Sequence, residues 1–239
     1  MEETYNIKAL ILNRRPFLED GSKITVYSEN SGKLELAARG TKKIKSKLAG
    51  HLEPISLAEI MVVRGRRYDY IGAAISKDCY ANIKNNLSKI KAAGEAIKIF
   101  SSIIKLGESD QEIFSLLKNY FDFLAGASLR SDYDLAVNFF IFKLLIKLGH
   151  GPELYNCLSC RTKILPVGMK FDLAKGGLVC AKCSLKDDKA NQLTISENSV
   201  KLLRLAEKNE FIKLFKIKID KKIENEIVKI VSSFLNFIF

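Results

Sequence analysis

Histidine is scarce in this sequence: His51 and His150 are the only two among 239 residues. They stand far apart and no acidic motif lies beside either, so neither H-E-x-x-H nor the H-x-E…C-x-x-C deaminase pattern can be assembled. G-x4-G-K-[ST] is also missing, which excludes the phosphate-cradling loop of a P-loop nucleotide kinase. Acidic residues are scattered and do not pair for general acid–base work. These absences lead us to expect a protein that is not an enzyme. Long apolar runs are missing too. The longest, 135–148, is interrupted by Asn138, Lys143 and Lys147 and is too short to span a bilayer. Met1-Glu2-Glu3-Thr4-Tyr5 has neither the basic nor the apolar region of a secretory signal. The expectation is a soluble, cytoplasmic protein without membrane attachment.

Cysteine is present in a small number, but it is placed in a pattern. Cys157 and Cys160 form one C-x2-C pair, Cys180 and Cys183 a second, and nineteen residues separate the pairs. Two ligands from each of two tight turns suit one tetrahedral Zn²⁺, although a rubredoxin-like iron site uses similar pairs. A reducing compartment disfavours disulfides. With all four positions filled by thiolates, no site is open to water, so the metal would fold the segment and would not catalyse. Between the pairs, Phe171-Asp172-Leu173 and Leu178-Val179 flank Lys175-Gly176-Gly177, the pattern of a hairpin with a glycine turn. Arg161 stands where such knuckles often carry glycine. Cys79 is isolated and reads as a small buried hydrophobe.

The remaining chain is α+β. Tyr5, Ile7, Ala9 and Ile11 alternate, as do Ile24 with Val26 and Leu34 with Leu36, separated by turns at Asp20-Gly21 and Ser31-Gly32. Two further apolar stretches, 55–63 and 68–75, are joined by Arg64-Gly65-Arg66-Arg67. Five short strands in residues 1–79 predict an OB-fold β-barrel. The period then becomes helical. One helix is predicted from Ile83 to Ile104, a second over Ile113, Leu116, Leu117, Tyr120, Phe121 and Leu124, and a third over 132–148. Helical spacing resumes at 196–206 and again over Ile223, Ile227, Ile230, Val231, Phe234, Leu235 and Ile238. We therefore divide the chain into a barrel (1–79), a first helical part (80–150), an inserted four-cysteine zinc ribbon (151–190) and a second helical part (191–239).

Charge favours a polyanionic partner, either nucleic acid or an anionic surface: 39 Lys and Arg face 27 Asp and Glu, for a formal net charge of +12. A lysine-rich composition would give such an excess without function, so local clustering decides. Arg39, Lys42, Lys43, Lys45 and Lys47 place five cations close together with no acid among them. Arg14 with Arg15, and Arg64 with Arg66 and Arg67, lie at strand ends of the same barrel. Three basic groups in one barrel point to a groove that tracks a phosphate backbone. Tyr5, Phe17, Tyr27, Tyr68 and Tyr70 are candidate stacking platforms, several of them claimed by the core.

Taken in order, these features resemble the bacterial recombination mediator family RecO. In the barrel the resemblance rests on Gly32, Ala38-Arg39-Gly40, Ser46, Leu52, Pro54 and Gly65-Arg66. It continues through Leu148-Gly149-His150-Gly151-Pro152-Glu153-Leu154 to Gly176-Gly177-Leu178-Val179-Cys180-Ala181-Lys182-Cys183. The resemblance implies a nucleoid-associated bacterial DNA repair protein that binds single- and double-stranded DNA and anneals complementary strands. It implies RecR as a partner in loading RecA, and a helical domain that docks the acidic tail of single-strand-binding protein. Some members carry an arginine just before the phenylalanine that aligns with Phe140; here Asn138-Phe139 hold that place. The alternative is a zinc-ribbon nucleic-acid-binding factor in transcription or RNA metabolism.

Overall fold

The computed structural model describes residues 3–17, 19–43, 45–127, 133–165, 167–186 and 189–239. They form two compact units, Met1–Gly126 and Ala127–Phe239.

The first unit begins with β1 (Thr4–Phe17), β2 (Gly21–Ser28), β3 (Gly32–Ala38), β4 (Ser56–Val63) and β5 (Tyr70–Asp78). They close into a barrel in the order β1-β2-β3-β5-β4, the expected OB-fold. Closure depends on the length of β1. Its first part pairs with β4, from Thr4 opposite Val63 to Ile11 opposite Ser56, while Ala9 onward pairs with β2. A bulge at Leu12, between the Ile11–Val26 and Asn13–Thr25 pairs, adds a residue and bends the strand from one neighbour to the other. Inward alternation fills the barrel with Ile7, Ala9, Ile11, Ile24, Val26, Leu36, Ile60 and Val62.

Three helices complete this unit: α1 (Ala81–Lys84), α2 (Leu87–Ile103) and α3 (Gln111–Gly126). The single helix predicted from Ile83 to Ile104 is thus two, because Asn86 accepts the backbone N–H of Lys89 at 3.0 Å and caps a new start. The outward face of β2 is covered as well as its inward face. Tyr27, fully buried, lies edge-on to Phe100 of α2 at 4.9 Å and stacks on Phe114 of α3 at 6.5 Å. Its hydroxyl donates to the Asp110 carbonyl at 3.4 Å, and burial raises its pKa to about 12. Lys33 of β3 donates to the carbonyls of Ser101 and Ile104, placing a cation on the C-terminal end of α2. Cys79 corrects the sequence reading, for it is exposed. Tyr80, in the left-handed region at φ 46°, takes the buried place and donates its hydroxyl to Asp122 at 2.9 Å.

In the second unit α4 (Tyr133–Lys147) is buried almost all round. It is followed by β6 (Lys170–Asp172), β7 (Gly177–Val179), α5 (Ala181–Ser184), β8 (Gln192–Thr194), α6 (Glu197–Lys208), α7 (Phe211–Leu214) and α8 (Lys221–Ile238). The predicted hairpin is β6–β7, and β8, which the sequence reading missed, adds to the other edge of β6. Phe171 of β6 meets Phe234 of α8 edge-on at 5.3 Å, so the ribbon packs on the helices that follow it. Lys143 of α4 donates to the carbonyls of Ala206 and Asn209 and so caps α6. The predicted helical segment 80–150 is divided between the units, with α1–α3 in the first and α4 in the second.

Because Tyr27 fastens α2 and α3 to the barrel, Tyr27→Ala should cost about 3–5 kcal/mol of stability. Tyr27→Phe, which removes only a long hydrogen bond, should cost about 1 kcal/mol or less. Urea unfolding of both variants checks this; equal losses would contradict it.

Candidate nucleic-acid interface and metal centre

Register brings the basic groups of the barrel together. Ala37 of β3 pairs with Tyr70 of β5, and its N–H donates to the Asp69 carbonyl at 2.9 Å. The segment leaving β3 therefore starts beside the β4–β5 loop, which carries Arg64, Arg66 and Arg67. The β1–β2 turn adjoins both: Gly21 lies so close to Ala38 that a Cβ there would meet its carbonyl at 2.9 Å. Between turn and segment is an open groove of about 300 Å³ lined by Phe17, Asp20, Ala38, Arg39 and Lys43 among others. Loops at this end of an OB barrel are a usual seat for oligonucleotides.

Arg39, Lys42, Lys43, Lys45 and Lys47 are all exposed. Lys42 donates to the Glu19 carbonyl at 3.0 Å, and Lys43 faces the Asp20 carboxylate at 3.6 Å. Arg15 and Lys23 share Glu35 at 2.7 and 2.9 Å, and Arg64 faces Glu3 at 3.5 Å. Arg39, Lys45, Lys47, Arg66 and Arg67 have no acidic partner among the described residues. Arg14 differs from the rest. Its guanidinium points inward and is bound by protein acceptors on several sides.

Four of the five candidate aromatics carry a cation on or near their rings. The guanidinium of Arg39 lies 4.2 Å from the Tyr70 ring centre, that of Arg67 5.4 Å from Tyr68, and that of Arg64 5.6 Å from Tyr5. Phe17 meets Tyr68 edge-on at 5.2 Å, with the Lys23 ammonium 5.2 Å from Phe17. Tyr27 is the exception, enclosed in the core. Lys23 was missed by the sequence reading because it stands alone in its strand. The signal was there, since inward Ile24 and Val26 turn Lys23 outward beside Arg15.

The second unit gathers the four cysteines. Sγ atoms of Cys157, Cys160, Cys180 and Cys183 all lie within 4.8 Å of one another. Cys160 and Cys180 are 3.8 Å apart, beyond the roughly 2.05 Å of a disulfide, and all four thiols are free. The Cys180 N–H donates to Cys157 Sγ at 3.3 Å, and α5 begins at the residue after Cys180. Arg161, which takes the place of the usual glycine, is held in the left-handed region at φ 62°. Gly177 lets β7 approach the chain before the first pair, where a Cβ would lie 2.4 Å from the Glu153 carbonyl. Hydrogen bonds from the Thr162 hydroxyl and N–H pull the Cys160 thiol down to about 6. Neighbouring sulfurs of Cys180 and Cys160 push Cys183 up to about 12. Four sulfurs this close can all ionise only around a cation, and their common chemistry fits a soft or borderline metal ion.

The family model for the N-terminal part of recombination protein O matches residues 1–80, and that for its C-terminal part matches residues 85–237. The chain belongs to the RecO family. The DNA repair protein RecO of Desulforamulus reducens is 28% identical over 233 residues, covering 98% of this chain and 89% of that protein. That of Dehalococcoides mccartyi strain CBDB1 is 25% identical over 98% of this chain and 90% of its own. A Roseiflexus RecO is 28% identical over 85% of this chain and 70% of its own. Family membership supports a role in DNA repair and recombination.

RecO features of the second unit can now be placed. In the L-G-x-x-P-x-L motif, the Leu154 carbonyl accepts two hydrogen bonds from Arg204 of α6. The Glu153 carboxylate accepts the N–H groups of Asn156 and Tyr155, which hold it below the usual range. Tyr155 carries Arg204 at 4.7 Å and Lys208 at 5.5 Å, a cation–aromatic group that the sequence reading missed because its members lie far apart in the chain. Asn138, Phe139 and Phe140 are buried. Arg130, a cation that could stand near a helical docking surface, falls outside the described residues. Lys143 is engaged in capping α6. Among the described residues no helix is long and apolar enough to cross a membrane.

Wild-type protein should carry about one equivalent of metal, and Cys180→Ser should lose it and unfold the ribbon while the barrel keeps its strand content. Elemental analysis with far-ultraviolet circular dichroism tests this. Less than half an equivalent of any transition metal in the wild type contradicts it.

Proposed function

We propose that this RecO-family protein binds DNA through its N-terminal barrel, by the backbone and without sequence preference, and anneals complementary strands without catalysing bond chemistry. The observation that carries the reading is the convergence of Arg39, Lys42, Lys43, Arg66 and Arg67 with cation-capped Tyr68 and Tyr70 at one end of an OB barrel. Cations there neutralise phosphates, and the aromatic edges offer contact to bases. Annealing needs charge neutralised on two strands and no bond made or broken, which fits a basic surface of this kind.

In this reading the four cysteines hold one structural Zn²⁺. A ZnS₄ tetrahedron with bonds of about 2.3 Å has sulfur–sulfur edges of about 3.8 Å, which the Cys160–Cys180 separation matches. Iron would betray itself by visible absorption. RecR, RecA loading and the tail of single-strand-binding protein enter as expectations of the family. The alternative, a transcription or RNA factor with a zinc ribbon, predicts binding without annealing.

If about five phosphates are neutralised, log affinity for single strands should fall against log salt with a slope of about −3.5. Lys42, Lys43 and Lys45 changed together to alanine should flatten the slope by about two and weaken all sequences alike. Fluorescence anisotropy across a salt series measures both, and an unchanged slope would remove this segment from the interface. Complementary strands should anneal faster with protein than without, including strands coated by single-strand-binding protein. Binding with no acceleration would favour the alternative.

A further inference from the structure

We propose that Arg14 is a positioning residue that clamps the basic segment 39–47, and not one of the phosphate contacts. The proposal rests on the reading of this barrel end as a DNA surface. Arg14 and Arg15 are adjacent in β1 but face opposite ways, so the Arg15 side chain is 55% exposed and that of Arg14 only 19%. Nε of Arg14 donates to Ser22 Oγ at 3.3 Å, and Nη2 to the Thr41 carbonyl at 3.1 Å. Nη1 donates to the Ala49 carbonyl at 3.1 Å and to the Glu53 carboxylate at 2.5 Å. Four of the five guanidinium N–H groups are thereby satisfied within the protein. One N–H is left over, so a bidentate phosphate contact would have to displace one of those partners.

What the partners have in common is their place. Thr41 and Ala49 stand before and after the stretch that carries Lys42, Lys43, Lys45 and Lys47, so one side chain from β1 grips both ends of it. The first end is fixed a second time: Thr41 is 3% exposed, its hydroxyl lies 2.7 Å from that of Ser22, and the Lys42 N–H donates to the Asp20 carbonyl at 3.2 Å. Gly40, at φ +66°, makes the turn that delivers Thr41. Only a planar fork of donors reaches carbonyls on two sides of one point, and an ammonium cannot replace it. A segment held in this way loses less conformational freedom when it meets a DNA backbone.

The test is anisotropy of a labelled oligothymidylate across a salt series. The variants are Arg14→Lys, Arg14→Met, Glu53→Gln and the triple lysine-to-alanine change, the last with and without Arg14→Met. Arg14→Lys and Arg14→Met should each weaken binding about three- to tenfold at every salt concentration while keeping the wild-type slope. On the triple-mutant background Arg14→Met should have much less effect than on the wild type, since most of its influence passes through those lysines. Glu53→Gln should weaken binding about twofold although it removes a negative charge. It also serves as the readout if Arg14→Met does not fold.

A phosphate contact predicts the opposite. Arg14→Lys would bind like wild type, and Arg14→Met would flatten the slope by about 0.7 and add to the triple change. Either result, or tighter binding by Glu53→Gln, overturns the proposal alone. A triple mutant that binds like wild type overturns the DNA reading of the segment, and the proposal with it.

Discussion

One strand hydrogen-bonds two neighbours, and the barrel with its basic end depends on this. β1 must be long enough to pair with β4 over its first half and β2 over its second, and it must bend between them at Leu12. Without that bend the sheet would stay open, and β3 would not lie against β5. The Ala37–Tyr70 pair that places Arg39 beside the β4–β5 loop would then be lost. Closure also leaves no sheet edge between these strands for unwanted pairing. The basic surface is thus a consequence of register, and the loops that carry it contain little secondary structure of their own.

Electrostatics divides the cations of this surface into classes that the formal charge does not reveal. Lys43 and Asp20 are both well exposed at 3.6 Å, and pairs of this kind are worth about 0–1 kcal/mol, so a phosphate can readily take the place of the carboxylate. Arg39 and Arg67 lie against tyrosine rings, an arrangement that orients the guanidinium without neutralising it. Arg14 is different in kind, because its partners are two carbonyls, a hydroxyl and a carboxylate of the protein itself. The +12 of the whole chain is therefore a poor measure of what a nucleic acid would meet; the geometry of a few side chains is a better one.

The ribbon follows another logic. β6, β7 and β8 are three residues each, too short to bury a core of their own. Two things address the deficit: Phe171 against Phe234, and four thiols placed so that they could hold one metal ion. The positive φ of Arg161 is a local cost that ligand geometry imposes at the first knuckle.

Much of this was legible in the chain. Alternation at Tyr5, Ile7, Ala9 and Ile11 gives strands because the period of a strand is two, and C-x2-C twice gives a metal site because a tight turn presents two ligands together. The family pattern was legible for the same reason: its glycines and cysteines sit where backbone or ligand geometry tolerates little else. Other features were beyond sequence reasoning. Asn86 splits a helix that hydrophobic spacing alone would continue, and Cys79 is exposed because Tyr80 takes the inner place. Tyr27 looked like a stacking platform until α2 and α3 covered it. Arg14 and Arg15 are the same residue type side by side, and the pleat of β1 turns one inward to hold a loop and the other out to solvent. Sequence determined which elements form, since periodicity and ligand spacing are local properties. Which cations face outward and which are used inside was decided only by tertiary structure, because that depends on where distant carbonyls and rings come to lie.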